Sequence, residues 1–259
     1  MKKMMALLMA LGAVALAENA TETDMPEMIL VEGFLLEKND GHILMETSYG
    51  ETLQVNLSED VAFMAEDLMI GDYIYVVYDG MMTRSLPAQI SALSMGCDKL
   101  VGVVEELSED GFMLRVETVI EGEEGAEPQV VTESYFVTGN AAKVEGLLVD
   151  MPVTVFHDGK MTRSIPPQVS ASYVRLMEME GVIDETTEEG FLMTDVNGMQ
   201  YRVALTEDAR LFVAPAAGTA VRVVYNGVTT MSIPALINGM EVLPAPVDEA
   251  ELATETIMD

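Results

Sequence analysis

One stretch of about twelve residues occurs three times in this chain. Residues 78–89 read YDGMMTRSLPAQ, residues 157–168 read HDGKMTRSIPPQ, and residues 225–236 read YNGVTTMSIPAL. A repeat at this spacing indicates that each copy belongs to one foldable unit, and that the chain stacks three such units in tandem. The repeat constrains the fold before any single residue is considered, but it brings no chemistry with it.

Each repeat also carries the pattern of a small β-sheet. A strand built around a glycine (Gly33, Gly102 or Gly181) leads to an acidic pair followed by glycine, which is a strong hairpin signal because glycine accepts a positive φ. Two further strands follow. After them, the hydroxyl residues Ser58 and Thr206 precede acidic residues, a pattern that predicts the start of a short helical turn. Two more strands flank the repeated motif. The predicted fold is all-β: three tandem five-stranded OB-like barrels with short helical turns.

Spacing and composition predict the domain limits. We expect repeat 1 at 28–97, repeat 2 at 98–176 and a degenerate repeat 3 at 177–243. Residues 119–129 are an acidic insertion in repeat 2. Short, constant linkers indicate that neighbouring barrels touch and predict a semi-rigid rod. Residues 18–27 and 244–259 are rich in proline, threonine and acid, which is typical of disordered ends.

The N-terminus has the pattern of a signal peptide, which we assign to residues 1–17. Lys2 and Lys3 precede an apolar run, and Ala15-Leu16-Ala17 supplies small residues for cleavage before Glu18. The apolar run is shorter than the roughly 20 residues that a membrane-spanning helix needs. We therefore expect a secreted protein, extracellular or held in the cell envelope, with no membrane span.

Charge limits the partners. The chain has 44 acidic and 13 basic residues and a formal net charge of −31; cleavage would remove two lysines and leave 11 − 44 = −33. A field of this sign repels nucleic acid and anionic lipid headgroups, so neither is expected as a partner. Divalent cations or basic proteins are favoured by charge, although solubility alone also explains an acidic surface.

Metal and nucleophile signals are weak. No loop has the alternating acidic spacing of a calcium-binding loop. The thioethers of the 22 methionines could bind copper, but methionine at alternating strand positions is also ordinary core packing. The single cysteine, Cys97, lacks a partner for an intramolecular disulfide, which leaves a disulfide between chains open. The sequence therefore predicts no cofactor, no metal site and no catalytic residue.

Comparison of the three copies separates scaffold from candidate site. The threonine, serine and proline of the motif persist in every copy, which favours a structural turn. Three polar positions shared by copies one and two do not persist in copy three. Arginine and glutamine in copies one and two become Met231 and Leu236 in copy three, and aspartate becomes Asn226. The candidate binding residues are thus Arg84, Gln89, Asp79, Arg163, Gln168 and Asp158.

Two interpretations of the arginines remain open. In OB barrels the loop between strands four and five contacts ligands, and an arginine there can hold a carboxylate or phosphate with two hydrogen bonds. Alternatively, each arginine pairs with Asp79 or Asp158 and only closes its own turn. The parallel loss of arginine and aspartate in copy three favours this second interpretation.

The motif Tyr-Asp-Gly-x-Met-Thr-x-Ser-Leu/Ile-Pro-x-Gln resembles that of small secreted OB-like β-barrel modules of unknown function in Gram-positive bacteria. The resemblance covers the mature chain as three modules and implies a non-catalytic role at the cell exterior. We therefore expect an extracellular binding or interaction protein, whose ligand is a protein or a small molecule. The alternative is an acidic protein that binds calcium or another cation, or that has a structural role in the envelope.

Overall fold

A computed structural model describes residues 28–120 and 128–246. The predicted signal peptide, the predicted disordered residues 18–27, most of the predicted disordered tail at 244–259 and most of the acidic insertion lie outside these residues. Pro244, the first residue of that predicted tail, is instead the last residue of the final strand. Within them the fold is all-β, with three sheets of five or six strands and one short helix. No helix in these two segments has the length and apolar character needed to cross a membrane.

Each sheet uses one continuous part of the chain, which we call modules 1, 2 and 3. Module 1 contains β1 (Ile29–Asn39), β2 (His42–Thr47), β3 (Thr52–Asn56), α1 (Glu59–Ala62), a 3-10 turn (Phe63–Ala65), β4 (Tyr73–Tyr78), β5 (Ala88–Ser91) and β6 (Ser94–Gly96). Module 2 contains β7 (Asp98–Ser108), β8 (Gly111–Ile120), β9 (Gln129–Thr138), a 3-10 turn (Asn140–Ala142), β10 (Pro152–Met161) and β11 (Gln168–Arg175). Module 3 contains β12 (Met177–Thr186), β13 (Gly190–Asp195), β14 (Gln200–Leu211), β15 (Ala220–Tyr225) and β16 (Ala235–Pro244).

All three modules pair their strands in one order. The first strand pairs with the second and the fourth, the second pairs with the third, and these pairings are antiparallel. The third strand runs parallel to the fifth, and the fifth pairs antiparallel with the fourth. The sheets of modules 2 and 3 thereby close into barrels. In module 1 the fifth strand is interrupted after Ser91, so β5 and β6 share its two pairings.

Close contact with the neighbouring strand explains why each first strand contains a glycine. A Cβ at Gly33 would lie 2.0 Å from the carbonyl oxygen of Glu46, and Gly102 and Gly181 face carbonyl oxygens at 2.3 and 2.4 Å. The strand and its neighbour therefore approach so closely that only glycine fits. A register shift follows two residues later in all three modules, and such a bulge bends the strand around the barrel.

The predicted helical turn is wrong for module 3. Module 1 has α1 directly after Ser58, although the Ser58 hydroxyl makes no capping bond, and module 2 has a 3-10 turn at the equivalent place. In module 3 the residues from Thr206 to Leu211 continue β14 instead. This extension pairs again with β16 at Arg210 and brings Phe212 against Phe34 of module 1. Packing between modules thus overrides the local helix signal.

The three modules meet at one junction, so the predicted rod is also wrong. In module 1, Phe34 packs edge-on against Tyr73, with ring centroids 4.9 Å apart. Phe34 also packs edge-on against Tyr173 of module 2, with ring centroids 4.8 Å apart. Phe156 of module 2 and Phe212 of module 3 complete this aromatic cluster. A rod would leave modules 1 and 3 apart, whereas here they contact each other directly.

A buried ion pair ties the junction together. Arg175 of module 2 and Glu241 of module 3 are each 2% exposed, and Arg175 Nε lies 2.8 Å from Glu241 Oε2. Arg175 Nη2 also donates to the carbonyl oxygen of Gly71 in module 1, at 2.6 Å. The Tyr173 hydroxyl donates to Glu241, and burial, assisted by this carboxylate, raises the pKa of Tyr173. One guanidinium therefore contacts all three modules.

Candidate functional site

The repeated motif forms a loop held by its own hydroxyl groups. In module 1 the Thr83 Oγ1 accepts a hydrogen bond from the backbone N–H of Gln89 at 2.8 Å and lies 2.7 Å from Ser85 Oγ. Ser85 Oγ donates to the carbonyl oxygen of Pro87, also at 2.8 Å, and Thr83 N–H donates to Gln89 O. Both hydroxyl groups of the loop are thus bonded within it, whereas the backbone N–H groups of Arg84, Ser85 and Leu86 make no hydrogen bond with a described residue. We call this segment, residues 83–89, a braced loop.

Modules 2 and 3 repeat this network bond for bond. The braced loops at 162–168 and 230–236 have the same hydroxyl pair at 2.7 Å, and their threonines accept from the backbone N–H of Gln168 and Leu236 at 2.8 Å. A cis peptide bond precedes the same proline in all three copies. The persistent threonine, serine and proline therefore have a structural role, as the sequence predicts.

Each braced loop exposes one aliphatic side chain almost completely. Leu86, Ile165 and Ile233, which precede these prolines, are 99%, 99% and 100% exposed. Further apolar side chains surround them in the same loops and the adjoining residues: Met81, Met82, Met161, Val228 and Met231 are all exposed. Comparison of the three copies in the sequence does not single out the Leu/Ile position as a candidate site. Its repeated aliphatic character next to proline was the available signal, and the structure shows that this side chain makes no core contact.

The structure separates the arginines from the aspartates. Arg84 and Arg163 are exposed, and neither makes an ion pair or hydrogen bond with a described residue. Asp79 instead accepts the backbone N–H of Met81 at 3.0 Å. Asp158 accepts that of Lys160 and also pairs with the Lys160 ammonium at 2.5 Å. The interpretation in which each arginine closes its turn through aspartate is therefore wrong.

The aspartates have a separate structural role. Asn226 of module 3 accepts the backbone N–H of Val228, so aspartate or asparagine makes the same turn in every copy. Burial by itself would raise the pKa of Asp158, but the Lys160 ammonium and backbone N–H lower it overall. The loss of negative charge in copy three follows from a turn that needs only an acceptor oxygen. It says nothing about the arginines.

Gln89 and Gln168 lie beside the arginines but belong to the sheet. Gln89 on β5 pairs with Gln54 on β3, which pairs with Leu44 on β2, and all three side chains lie on the outer surface. We call this surface, formed by the outward residues of the second, third and fifth strands, the open face. The equivalent rows are Met113, Phe136 and Gln168 in module 2, and Leu192, Arg202 and Leu236 in module 3.

The open face of module 3 contains a cleft of about 450 Å³. Leu192 and Arg202 line it from the strands, Pro234 from the braced loop, and Glu188 and Glu189 from the first hairpin turn. Arg202 is equivalent to Gln54 of module 1 and Phe136 of module 2, and Leu236 stands where the other two modules have glutamine. The three open faces therefore have the same backbone arrangement but different side chains.

The titratable groups around the braced loop of module 2 have ordinary structural explanations. Burial lowers the pKa of His157, opposed by the carboxylates of Asp98 and Asp158, and its Nδ1 accepts the backbone N–H of Gly159. Burial also raises the pKa of the Cys97 thiol to about 12. Among residues 28–120 and 128–246, no group of three or more His, Cys, Asp or Glu side chains is placed to hold a metal ion.

Comparison with known proteins gives little. Neither a family model nor a curated protein matches the sequence. Among solved structures, one described as "drosophila Unr CSD456" is similar with 11% identity, covering 85% of this chain and 98% of that chain, at a TM-score of 0.19. A superposition with so low a score supports no inference about this chain.

Proposed function

We propose that this chain is a non-catalytic binding protein that acts outside the cytoplasm, and that its braced loops and open faces are the contact sites. The pairing order of its strands, with the third and fifth parallel, supports assignment of the modules to the OB type. In that fold, ligands bind on the face of strands two and three and on the loops beside it. Gln89 and Arg84 lie on this face and this loop in module 1, as Gln168 and Arg163 do in module 2.

The observation that carries the proposal is the state of the two arginines. Each extends from a loop whose threonine and serine hydroxyl groups are bonded within the loop, and neither arginine has a partner among the described residues. Arginine is the side chain best suited to grip a planar carboxylate or a phosphate. Module 3 keeps the loop and places Met231 at the same position, so the loop folds without arginine. Arg84 and Arg163 are therefore the binding residues of modules 1 and 2, and module 3 contributes no arginine to this contact.

The double variant Arg84→Met/Arg163→Met tests the proposal, because methionine is the residue that module 3 has at the equivalent position, Met231. The mature chain, residues 18–259, is sedimented with isolated Gram-positive cell envelopes, comprising wall and attached membrane. We expect the wild type to sediment with the envelopes and the double variant to stay in solution at an unchanged melting temperature.

Lys143→Met is the matched control, since it removes an exposed positive charge away from the braced loops. It should sediment like the wild type. Equal sedimentation of the double variant, or a clear fall in its melting temperature, would show that the arginines are not binding residues.

A further inference from the structure

We infer that the three aliphatic loop tips, Leu86, Ile165 and Ile233, insert into the surface of a zwitterionic lipid bilayer. This inference rests on the proposed function, because it names the partner of the same braced loops. Apolar side chains exposed singly are ordinary on protein surfaces. Three equivalent positions at 99–100% exposure, each at the end of an identically bonded loop, call for a partner.

The bonding of the braced loop lowers the cost of insertion. Moving a loop out of water is costly where backbone or hydroxyl groups lose their hydrogen bonds. Here Ser85 Oγ, Thr83 Oγ1, the carbonyl oxygen of Pro87 and the N–H of Gln89 are already paired within the loop. Proline brings no N–H of its own. These pairings reduce the number of polar groups that must lose water on insertion, and the loop does not have to reorganise first. The backbone N–H groups of Arg84, Ser85 and Leu86 make no hydrogen bond with a described residue, so insertion is confined to the aliphatic side chain at the tip.

The variety of tip side chains favours a fluid partner over a protein pocket. One module presents leucine and two present isoleucine, and the apolar neighbours are methionine in modules 1 and 2 and valine with methionine in module 3. A protein pocket distinguishes such shapes, because its interior is closely packed. Hydrocarbon chains require apolar area only. What the three loops share is aliphatic area at a fixed position, which matches a lipid phase.

Charge selects the kind of lipid. The formal charge of residues 79–89 is zero (Asp79, Arg84), that of 158–168 is +1 (Asp158, Lys160, Arg163), and residues 225–236 carry none, while the whole chain carries −31. The loops are thus the parts of this acidic protein that approach phosphate groups without repulsion. The body would be repelled by an anionic bilayer. A zwitterionic bilayer has no net charge, so it repels neither the loops nor the acidic body of the protein. The arginine and lysine side chains can then lie along the apolar boundary with their charged ends at lipid phosphate.

The test is flotation of residues 18–259 with phosphatidylcholine vesicles. The variants are Leu86→Ser, Ile165→Ser and Ile233→Ser, singly and combined, and the control is Val196→Ser, which removes an exposed aliphatic residue outside the braced loops. We expect the wild type and the control to float. Removal of each inserted tip should weaken partitioning on the order of tenfold, and the triple variant should stay at the bottom. Addition of anionic phosphatidylglycerol to the vesicles should weaken wild-type binding.

Two results would overturn the inference: a wild type that ignores phosphatidylcholine vesicles, or a triple variant that floats as the wild type does. The triple variant must retain the wild-type melting temperature, which its fully exposed positions lead us to expect. If the wild type ignores vesicles but sediments with cell envelopes in an arginine-dependent way, the lipid inference fails and the proposed function stands.

Discussion

Replacement of Arg175 by methionine should destabilise the whole protein, because this side chain holds all three modules. The change removes the 2.8 Å ion pair to Glu241 and the 2.6 Å hydrogen bond to the Gly71 carbonyl oxygen. It leaves the Glu241 carboxylate buried with the Tyr173 hydroxyl as its remaining close donor in the described chain. Breaking a buried pair on one side typically costs about 3–5 kcal/mol. For a protein of this size, that cost corresponds to a melting temperature lower by about 6–20 °C.

A second change separates the buried charge from lost packing. The double variant Arg175→Met/Glu241→Gln removes both charges, and the glutamine can still accept the Tyr173 hydroxyl hydrogen bond. It should therefore regain about 2 kcal/mol or more of the loss, because no uncompensated charge stays buried. Arg202→Met, which removes an exposed arginine with no ion pair to a described residue, should change stability by less than about 0.5 kcal/mol.

Urea and thermal unfolding measure these differences, followed by the fluorescence of the eight tyrosines, since the chain has no tryptophan. A cost below about 1 kcal/mol for Arg175→Met would refute the reasoning, because it is the size expected of an exposed pair. A double variant no more stable than the single one would refute it as well.

Two substitutions and one reactivity measurement test the local structure. Thr83→Val removes the acceptor of the Gln89 N–H and should cost about 1 kcal/mol, measured by urea unfolding, with faster hydrogen exchange of that amide. Because burial lowers the pKa of His157 in the folded state, despite Asp98, the unfolded chain binds the proton first. Stability should therefore be full above about pH 6.5 and fall below it, and His157→Gln should remove that slope in unfolding measured against pH. Cys97, with its raised pKa, should react slowly with a thiol reagent until urea is added, and the native protein should show no disulfide-linked dimer on a non-reducing gel.

Much of the site could be predicted because its structure is local. The bonds of a braced loop join residues at most six positions apart, as between Thr83 and Gln89. The same letters in the same order therefore make the same loop three times, whatever surrounds them. The loop predicted from the sequence is structural, as the persistent hydroxyls indicate. Of the two interpretations of the arginines, the one that paired them with the aspartates was wrong, because the direction of a long exposed side chain does not follow from spacing.

The sequence alone determined the repeated β architecture. Gly33 and its two equivalents, the hairpin glycines and the loop motif recur at matching positions, and each has a steric or hydrogen-bonding reason that acts within one module. Such short-range constraints are visible in a single chain. They predict an all-β protein with three similar sheets, and the structure confirms this.

Only the tertiary structure decided how the modules sit together. The junction uses residues at non-equivalent places: Phe34 on a first strand, Tyr173 and Arg175 on a fifth strand, and Phe212 directly after an extended third strand. These residues have no common period and lie up to 178 positions apart in the chain (212 − 34). Their contacts depend on how three finished barrels fit against one another. The repeated positions therefore determine the structure of each module, whereas residues that differ between the copies form the contacts between modules.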